Sequence, residues 1–186
     1  MSKKPWDVFD PSPMGDIDEK AIFDAVGRAL TSWETVEVEC AKLFAVLVSS
    51  RHKRTYNDPA VRAYGSIVGT HSRFNMLQLA AESYFSKRPA KQASFEKRFT
   101  TLIGEYKEYS NRRNEIAHGF VKRVFIRGSG KRPRLVGMYL LPSFFNPRKF
   151  KKGELTYSYV SGDIIFYKQE FDKLQLRLEG LIQALS

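Results

Sequence analysis

The chain has 186 residues, of which 42% are hydrophobic and 13% aromatic, with a single cysteine and a formal net charge of +11. That length suits one domain with a real hydrophobic core, and that composition excludes a disordered polymer. No apolar run approaches the roughly 18 residues needed to span a bilayer, and a lone cysteine excludes an internal disulfide.

Residues 1–15 carry Pro5, Pro11, Pro13 and Gly15 and predict an irregular lead-in. The opening, Met1 to Trp6, is basic but has no apolar stretch behind it, so no secretory signal is expected and a cytoplasmic location follows by default. Asp16-Ile17-Asp18-Glu19 has the form of a capping box with Asp16 as the cap. Ala21, Ile22, Ala25, Val26, Ala29, Leu30 and Trp33 then recur at helical spacing, and Cys40, Leu43, Phe44 and Leu47 continue it, predicting a long first helix toward Ser50. Asn57-Asp58-Pro59 signals a second start, with Asp58 as cap and Pro59 in the first helical position. Ala63, Ile67, Phe74, Leu77, Ala81 and Phe85 predict one helix from there to Lys87-Arg88-Pro89.

In the third helix Phe95, Phe99, Leu102, Tyr106, Tyr109, Arg113, Ile116 and Phe120 are separated by alternating steps of four and three, a heptad stripe. Arg113 therefore falls on an apolar position, where a charge is costly unless it is paired, faces a cavity or meets a partner subunit. After Gly119 the periodicity changes. Val121 to Ile126, Leu135 to Leu141 and Leu155 to Val160 predict short strands, with Gly128-Ser129-Gly130 turning between the first two. Asp163 is placed to cap a final helix over 163–185. The expected fold is mainly α: an up-and-down helical bundle forming one domain over 1–186, with a small antiparallel β insertion at 121–161 before the last helix.

Charge is concentrated in that insertion. Between Gly119 and Lys152 stand Lys122, Arg123, Arg127, Lys131, Arg132, Arg134, Arg148, Lys149, Lys151 and Lys152 with no Asp or Glu, so this stretch supplies +10 of the net +11. A local positive field of that kind concentrates a polyanion and makes these ten residues candidates for binding nucleic acid. A solvated basic loop is the plain alternative. No amphipathic helix accompanies the charges, so a membrane surface is not the expected partner.

Arg113-Asn114-Glu115-Ile116-Ala117-His118 lies just before the basic stretch. At about 100° per residue, Arg113 and His118 stand roughly 140° apart on a straight helix, whereas Asn111, Asn114 and His118 share a face. Convergence needs the reach of arginine, distortion near Gly119, or two copies of the helix across a dimer axis. Cleavage of RNA by its own 2′-hydroxyl requires a base, an acid and positive charge at the phosphate. One chain offers one histidine here and a homodimer offers two. In the last helical turn the dipole favours a protonated His118. A histidine followed by a left-handed glycine is also a common structural helix end.

Other candidates are weaker. His71 could line the same cleft but fits an exposed polar face, and His52 belongs to a basic loop. Gly128-Ser129-Gly130-Lys131 lacks the spacing of a phosphate loop. Three scattered histidines and one cysteine have no metal-ligand spacing, so no metal or cofactor is expected. Tyr139, Phe144, Phe145, Phe150, Tyr157 and Tyr159 interleave with the basic residues and could stack on unpaired bases, although a half-buried sheet explains most of them.

Arg113, Asn114 and His118 match position for position a form of the Arg-x4-6-His motif common among ribonucleases, and the motif falls late in the third long helix. In this the chain resembles the HEPN superfamily (higher eukaryotes and prokaryotes nucleotide-binding domains) over residues 16–120 and the last helix. The resemblance implies a metal-independent endoribonuclease, a homodimer with its active site at the subunit interface, working in a toxin–antitoxin pair with an antitoxin protein or in phage defence. It would make His118 act on the 2′-hydroxyl, Arg113 hold the scissile phosphate and Asn114 orient either. Phe120 stands where toxins controlled by tyrosine modification carry Tyr, which argues against that control. Some relatives lack catalysis, so a nucleic-acid-binding module or scaffold of the same fold is the alternative.

Overall fold

A computed structural model describes residues 3–49, 58–86, 93–126, 134–143, 150–151 and 154–185. Among them run α1 (Glu19–Val48), α2 (Pro59–Gly65), α3 (Thr70–Ser86), α4 (Ala93–His118), β1 (Phe120–Ile126), β2 (Arg134–Leu141), β3 (Phe150–Lys151), β4 (Glu154–Leu155) and α5 (Ser161–Leu185). The protein is thus mainly helical with a small antiparallel β component. Two compact units divide it, one made of Met1–Ser32 and Asn111–Glu170, the other of Trp33–Ser110 and Phe171–Ser186. Each of α1, α4 and α5 gives part of its length to each unit. No helix among the described residues is long and apolar enough to cross a membrane.

In the first unit β1 and β2 form the expected antiparallel ribbon, pairing Phe120 with Leu141 and Val124 with Gly137. The register then slips so that Phe125 faces Leu135. This leaves an extra residue on β2, a bulge, and Gly137 adopts a φ of +138° there. The far edge of β2 is covered by single bridges, Asp16 to Met138 and Tyr159 to Leu140. Gly15 lies so close to the bulge that a Cβ on Gly137 would come 2.5 Å from its carbonyl carbon. The proline-rich lead-in is therefore docked against the ribbon here.

Several expectations are corrected. Asp16 does not cap α1; Asp18 does, accepting from the Lys20 amide at 2.9 Å. The Asp16 carboxylate instead accepts from the amide and hydroxyl of Ser161, at 2.7 and 2.6 Å, and so serves the start of α5. α5 begins two residues before Asp163, whose carboxylate reaches back to the Val160 amide at 3.0 Å, the return half of a capping box. The helix predicted from Pro59 to Phe85 is two helices, because Gly69 at φ +96° cannot continue a right-handed turn. Arg73 satisfies the carbonyls freed at that break, donating to Ile67 and Gly65. Asp58 caps α2 as expected. Of the strand predicted from Leu155 to Val160, only Leu155 belongs to a strand, and Tyr159 makes an isolated bridge. The Gly128-Ser129-Gly130 turn lies outside the described residues.

The second unit is built on aromatic contact. Trp33 of α1 stacks on Tyr106 of α4 at 5.4 Å and meets Phe171 of α5 edge-on at 5.1 Å, and Tyr109 closes on the same Phe171. Such pairs fix geometry beyond the burial they bring. The Glu37 carboxylate lies among them, accepting from Trp33 Nε1, from the Tyr106 hydroxyl and from Arg73 Nη1 at 3.0, 3.0 and 2.8 Å.

Gly137→Ala is expected to lose about 1–3 kcal/mol or more of unfolding free energy, since it combines strain with a backbone clash. Gly27→Ala, with open space around its Cβ at an exposed position of α1, is expected to gain a few tenths to about 1 kcal/mol. Urea denaturation of the two proteins checks the opposite signs.

Candidate functional site

The last two turns of α4 are held from one side. Glu115 is 4% exposed, and its Oε2 accepts from Arg112 Nη1 at 2.9 Å and from the Tyr159 hydroxyl at 2.6 Å. Its backbone carbonyl accepts from the Tyr157 hydroxyl at 3.1 Å. Tyr157 and Tyr159 stack at 4.9 Å, Tyr159 packs on Tyr167, and the Tyr167 hydroxyl donates to the Asp7 carbonyl at 2.7 Å. Burial opposes the charge on Arg112, and the Tyr159 and Glu115 oxygens beside it more than offset that cost, so its guanidinium is held more basic than usual. Burial, reinforced by Glu115, pushes the Tyr157 and Tyr159 phenols well up, and burial raises Tyr167 to about 12.

The candidate residues lie around this anchor. Arg113 is half-buried, in the arc between Tyr109 and Ile116 where the heptad register put it, and its Nη1 donates to Asn114 Oδ1 at 3.1 Å. Asn114 is half-buried, whereas Asn111 and His118 are exposed. α4 stays helical through His118, so no distortion swings the imidazole toward Arg113. Among the described residues no hydrogen bond joins His118 to Arg113 or Asn114. Arg113 and Asn114 are thus brought together, and His118 stands about 140° round the helix from Arg113.

Gly119 turns the chain directly into β1. It is not among the left-handed glycines, contrary to the helix-end expectation; its need is steric, because a Cβ would lie 2.7 Å from Leu140 Cγ and 2.9 Å from the Glu115 carbonyl oxygen. Lys122 and Arg123 follow, both exposed. Arg127, Lys131, Arg132, Arg148, Lys149 and Lys152 lie outside the described residues, and Arg134 and Lys151 belong to β2 and β3 with their side chains outside the description. His52 also lies outside. His71 is exposed at the start of α3, with Asn75 Nδ2 3.3 Å from its Nε2.

Sequence reasoning missed Arg112 and Glu115, the charged pair that organises this end of the helix. Their three-residue spacing was the available signal. A spacing of four to six residues between arginine and histidine also admits Arg112, but Arg112 is engaged by Glu115 and Tyr159. The proposed stacking set is corrected as well. Tyr139, Tyr157 and Tyr159 are buried, and their hydroxyls bond inward to Ser12, Glu115 and Glu115 respectively. Phe144 and Phe145 lie outside the described residues, and nothing is described of the Phe150 side chain. Cys40 is fully buried, and burial, then Glu37 and Glu39, hold its thiol protonated, which suits a core residue rather than a nucleophile.

Comparison with models of protein families, with curated proteins and with solved structures found no match to this chain.

Glu115→Ala is expected to cost about 3–5 kcal/mol, because it leaves the buried Arg112 charge uncompensated, and Arg112→Met combined with Glu115→Leu is expected to recover most of it. A loss below about 1 kcal/mol in urea unfolding would place the pair with weak exposed ones. The tyrosine cluster sets an alkaline limit. Phenols of the unfolded chain ionise near pH 10, whereas those of the cluster stay neutral in the fold, so their contribution is complete below about pH 10 and falls as pH rises toward the folded value of about 12 at Tyr167. Tyrosinate absorbance from these residues should therefore appear in one step with loss of helical circular dichroism.

Proposed function

We propose that the protein is a metal-independent endoribonuclease of the HEPN type, acting as a homodimer in a toxin–antitoxin pair or in phage defence. The observation that carries this reading is the exposed imidazole of His118 at the end of α4, one glycine before a strand that presents Lys122 and Arg123 to solvent. From His118 to Lys122 the chain can span at most about 14 Å, so a strand of RNA lying on those cations passes the imidazole. The reaction is transesterification: the 2′-oxygen bonds to phosphorus, the bond to the 5′-oxygen breaks, and a cyclic phosphate and a 5′-hydroxyl result. His118 takes the proton from the 2′-hydroxyl, or in the second copy gives one to the departing oxygen. Arg113 neutralises the phosphate, and Asn114, already bonded to Arg113, orients its guanidinium.

The placement of Arg113 and His118 on different sides of α4 bears directly on this reading. One helix does not aim both at one phosphate, so catalysis needs a second copy of α4 facing the first. The same separation favours the second reading, a nucleic-acid-binding module of this fold without catalysis, in which Arg113 is structural.

Incubating mixed RNA with the full chain in EDTA is expected to give fragments ending in cyclic phosphates. His118→Ala and Arg113→Ala are each expected to slow cleavage at least about 100-fold. A His118→Ala protein that cuts at the parent rate would falsify the catalytic assignment, and RNA bound intact by all three proteins would establish the binding module instead.

A further inference from the structure

A cleft of about 380 Å³ opens along β1, lined by Phe120, Lys122, Arg123, Val124 and Phe125 together with Leu141 and Leu155. Neighbouring residues of β1 line it together, so it wraps the strand edge rather than lying on one face of the ribbon. β1 has no strand partner on that side among the described residues. Two large apolar side chains stand open in it: Phe125 is 52% and Leu155 47% exposed. An exposed aromatic beside exposed cations, in a segment that carries ten basic residues and no acidic one, has a chemistry that neither a protein core nor a plain solvated loop explains.

We propose that this cleft holds one unpaired base of a single-stranded RNA, stacked on Phe125, with the adjoining phosphate on Arg123. The inference rests on RNA being the ligand, as proposed above, and adds which form of RNA is taken and where. Charge selects a polyanion, and the apolar wall selects something with a flat uncharged face; a nucleotide is both. The volume is at the small end of ligand sites and suits a single heteroaromatic ring. A base in a duplex is stacked on both sides and cannot enter, so the cleft discriminates for single strands. Addition of a peptide strand to the open edge is the competing occupant, and paired cations on an edge are the usual device against it. Tyr139 of the basic stretch, and Tyr157 and Tyr159 just after it, are buried, which among the described side chains leaves the two phenylalanines of β1 as the stacking surface.

The test measures binding by the full chain, in the parent and in a His118→Ala background, to a short labelled RNA free of self-complementarity and to the same RNA annealed to its complement. Phe125→Ala is expected to weaken single-strand binding about tenfold and to leave duplex binding unchanged, while Phe125→Tyr keeps the parent affinity. Arg123→Gln is expected to weaken both and to reduce the salt dependence by about one phosphate contact. Should Phe125→Ala disturb the fold, as read by circular dichroism, the Phe125→Tyr and Arg123→Gln proteins and the parent's preference for single strands still decide. Equal affinity of the parent for duplex and single strand, an unchanged affinity in a folded Phe125→Ala protein, or preference for an extended polyglutamate peptide over RNA overturns the proposal. RNA cleavage with Phe125-independent binding removes the cleft and leaves the ribonuclease; Phe125-dependent binding without cleavage does the reverse.

Discussion

A buried carboxylate must be met by charge and hydrogen bonds or it unfolds what surrounds it, and the position of the candidate site follows from how Glu115 is met. Arg112, on the same helix, supplies the charge, and Tyr159, 44 residues further along, supplies the short hydroxyl bond. Tyr157 takes up the carbonyl of the same residue. Because the Tyr159 backbone also bridges to Leu140 of β2, one residue ties the end of α4, through its side chain, to the ribbon that follows it. The close approach of Gly119 to Leu140 is the outcome: the helix has no room to run on, and the chain leaves it at His118 as a strand.

The second unit uses the same device with different residues. Glu37 is buried and meets Arg73, Trp33 and Tyr106, and Arg73 also holds the carbonyls at the break between α2 and α3. In both units an arginine neutralises a glutamate while an aromatic hydroxyl or indole supplies a directional bond. Hydrophobic packing alone would tolerate small rotations of these helices. A satisfied buried network does not, since any slippage leaves a charge or a donor without its partner in a medium of low dielectric. The heavy use of tyrosine follows from this demand, because a phenol fills the core with its ring and serves the network with its oxygen.

The proposed chemistry separates into a held part and a presented part. Arg113 and Asn114 lie half-buried and bonded to one another, so their geometry is set before any ligand arrives. His118 is exposed at the end of α4, and Lys122, Arg123 and Phe125 are exposed on the strand beyond. A proposed ligand therefore meets charge and an aromatic face first.

Much of the helical architecture was legible in the sequence, because helical and strand periodicities are local. The heptad stripe of α4, the Asp58-Pro59 start of α2, the ribbon after Gly119 and the half-buried station of Arg113 all follow from spacing along one segment. Misreadings arose where a residue's partner is distant in the chain. Asp16 carries the signature of a cap for α1 but bonds to Ser161, 145 residues away; Tyr157 and Tyr159 alternate as strand residues do but turn inward to Glu115; and Gly69 breaks a continuous apolar pattern through a backbone angle that periodicity does not encode. What the sequence by itself determined is which segments are helical, where the positive charge lies and which polar residues are dense at the end of α4. Tertiary structure alone decided which arginine is engaged with a buried carboxylate, and that Phe125 stands open where Tyr139, Tyr157 and Tyr159 are buried, because burial and pairing are properties of residues meeting across the fold.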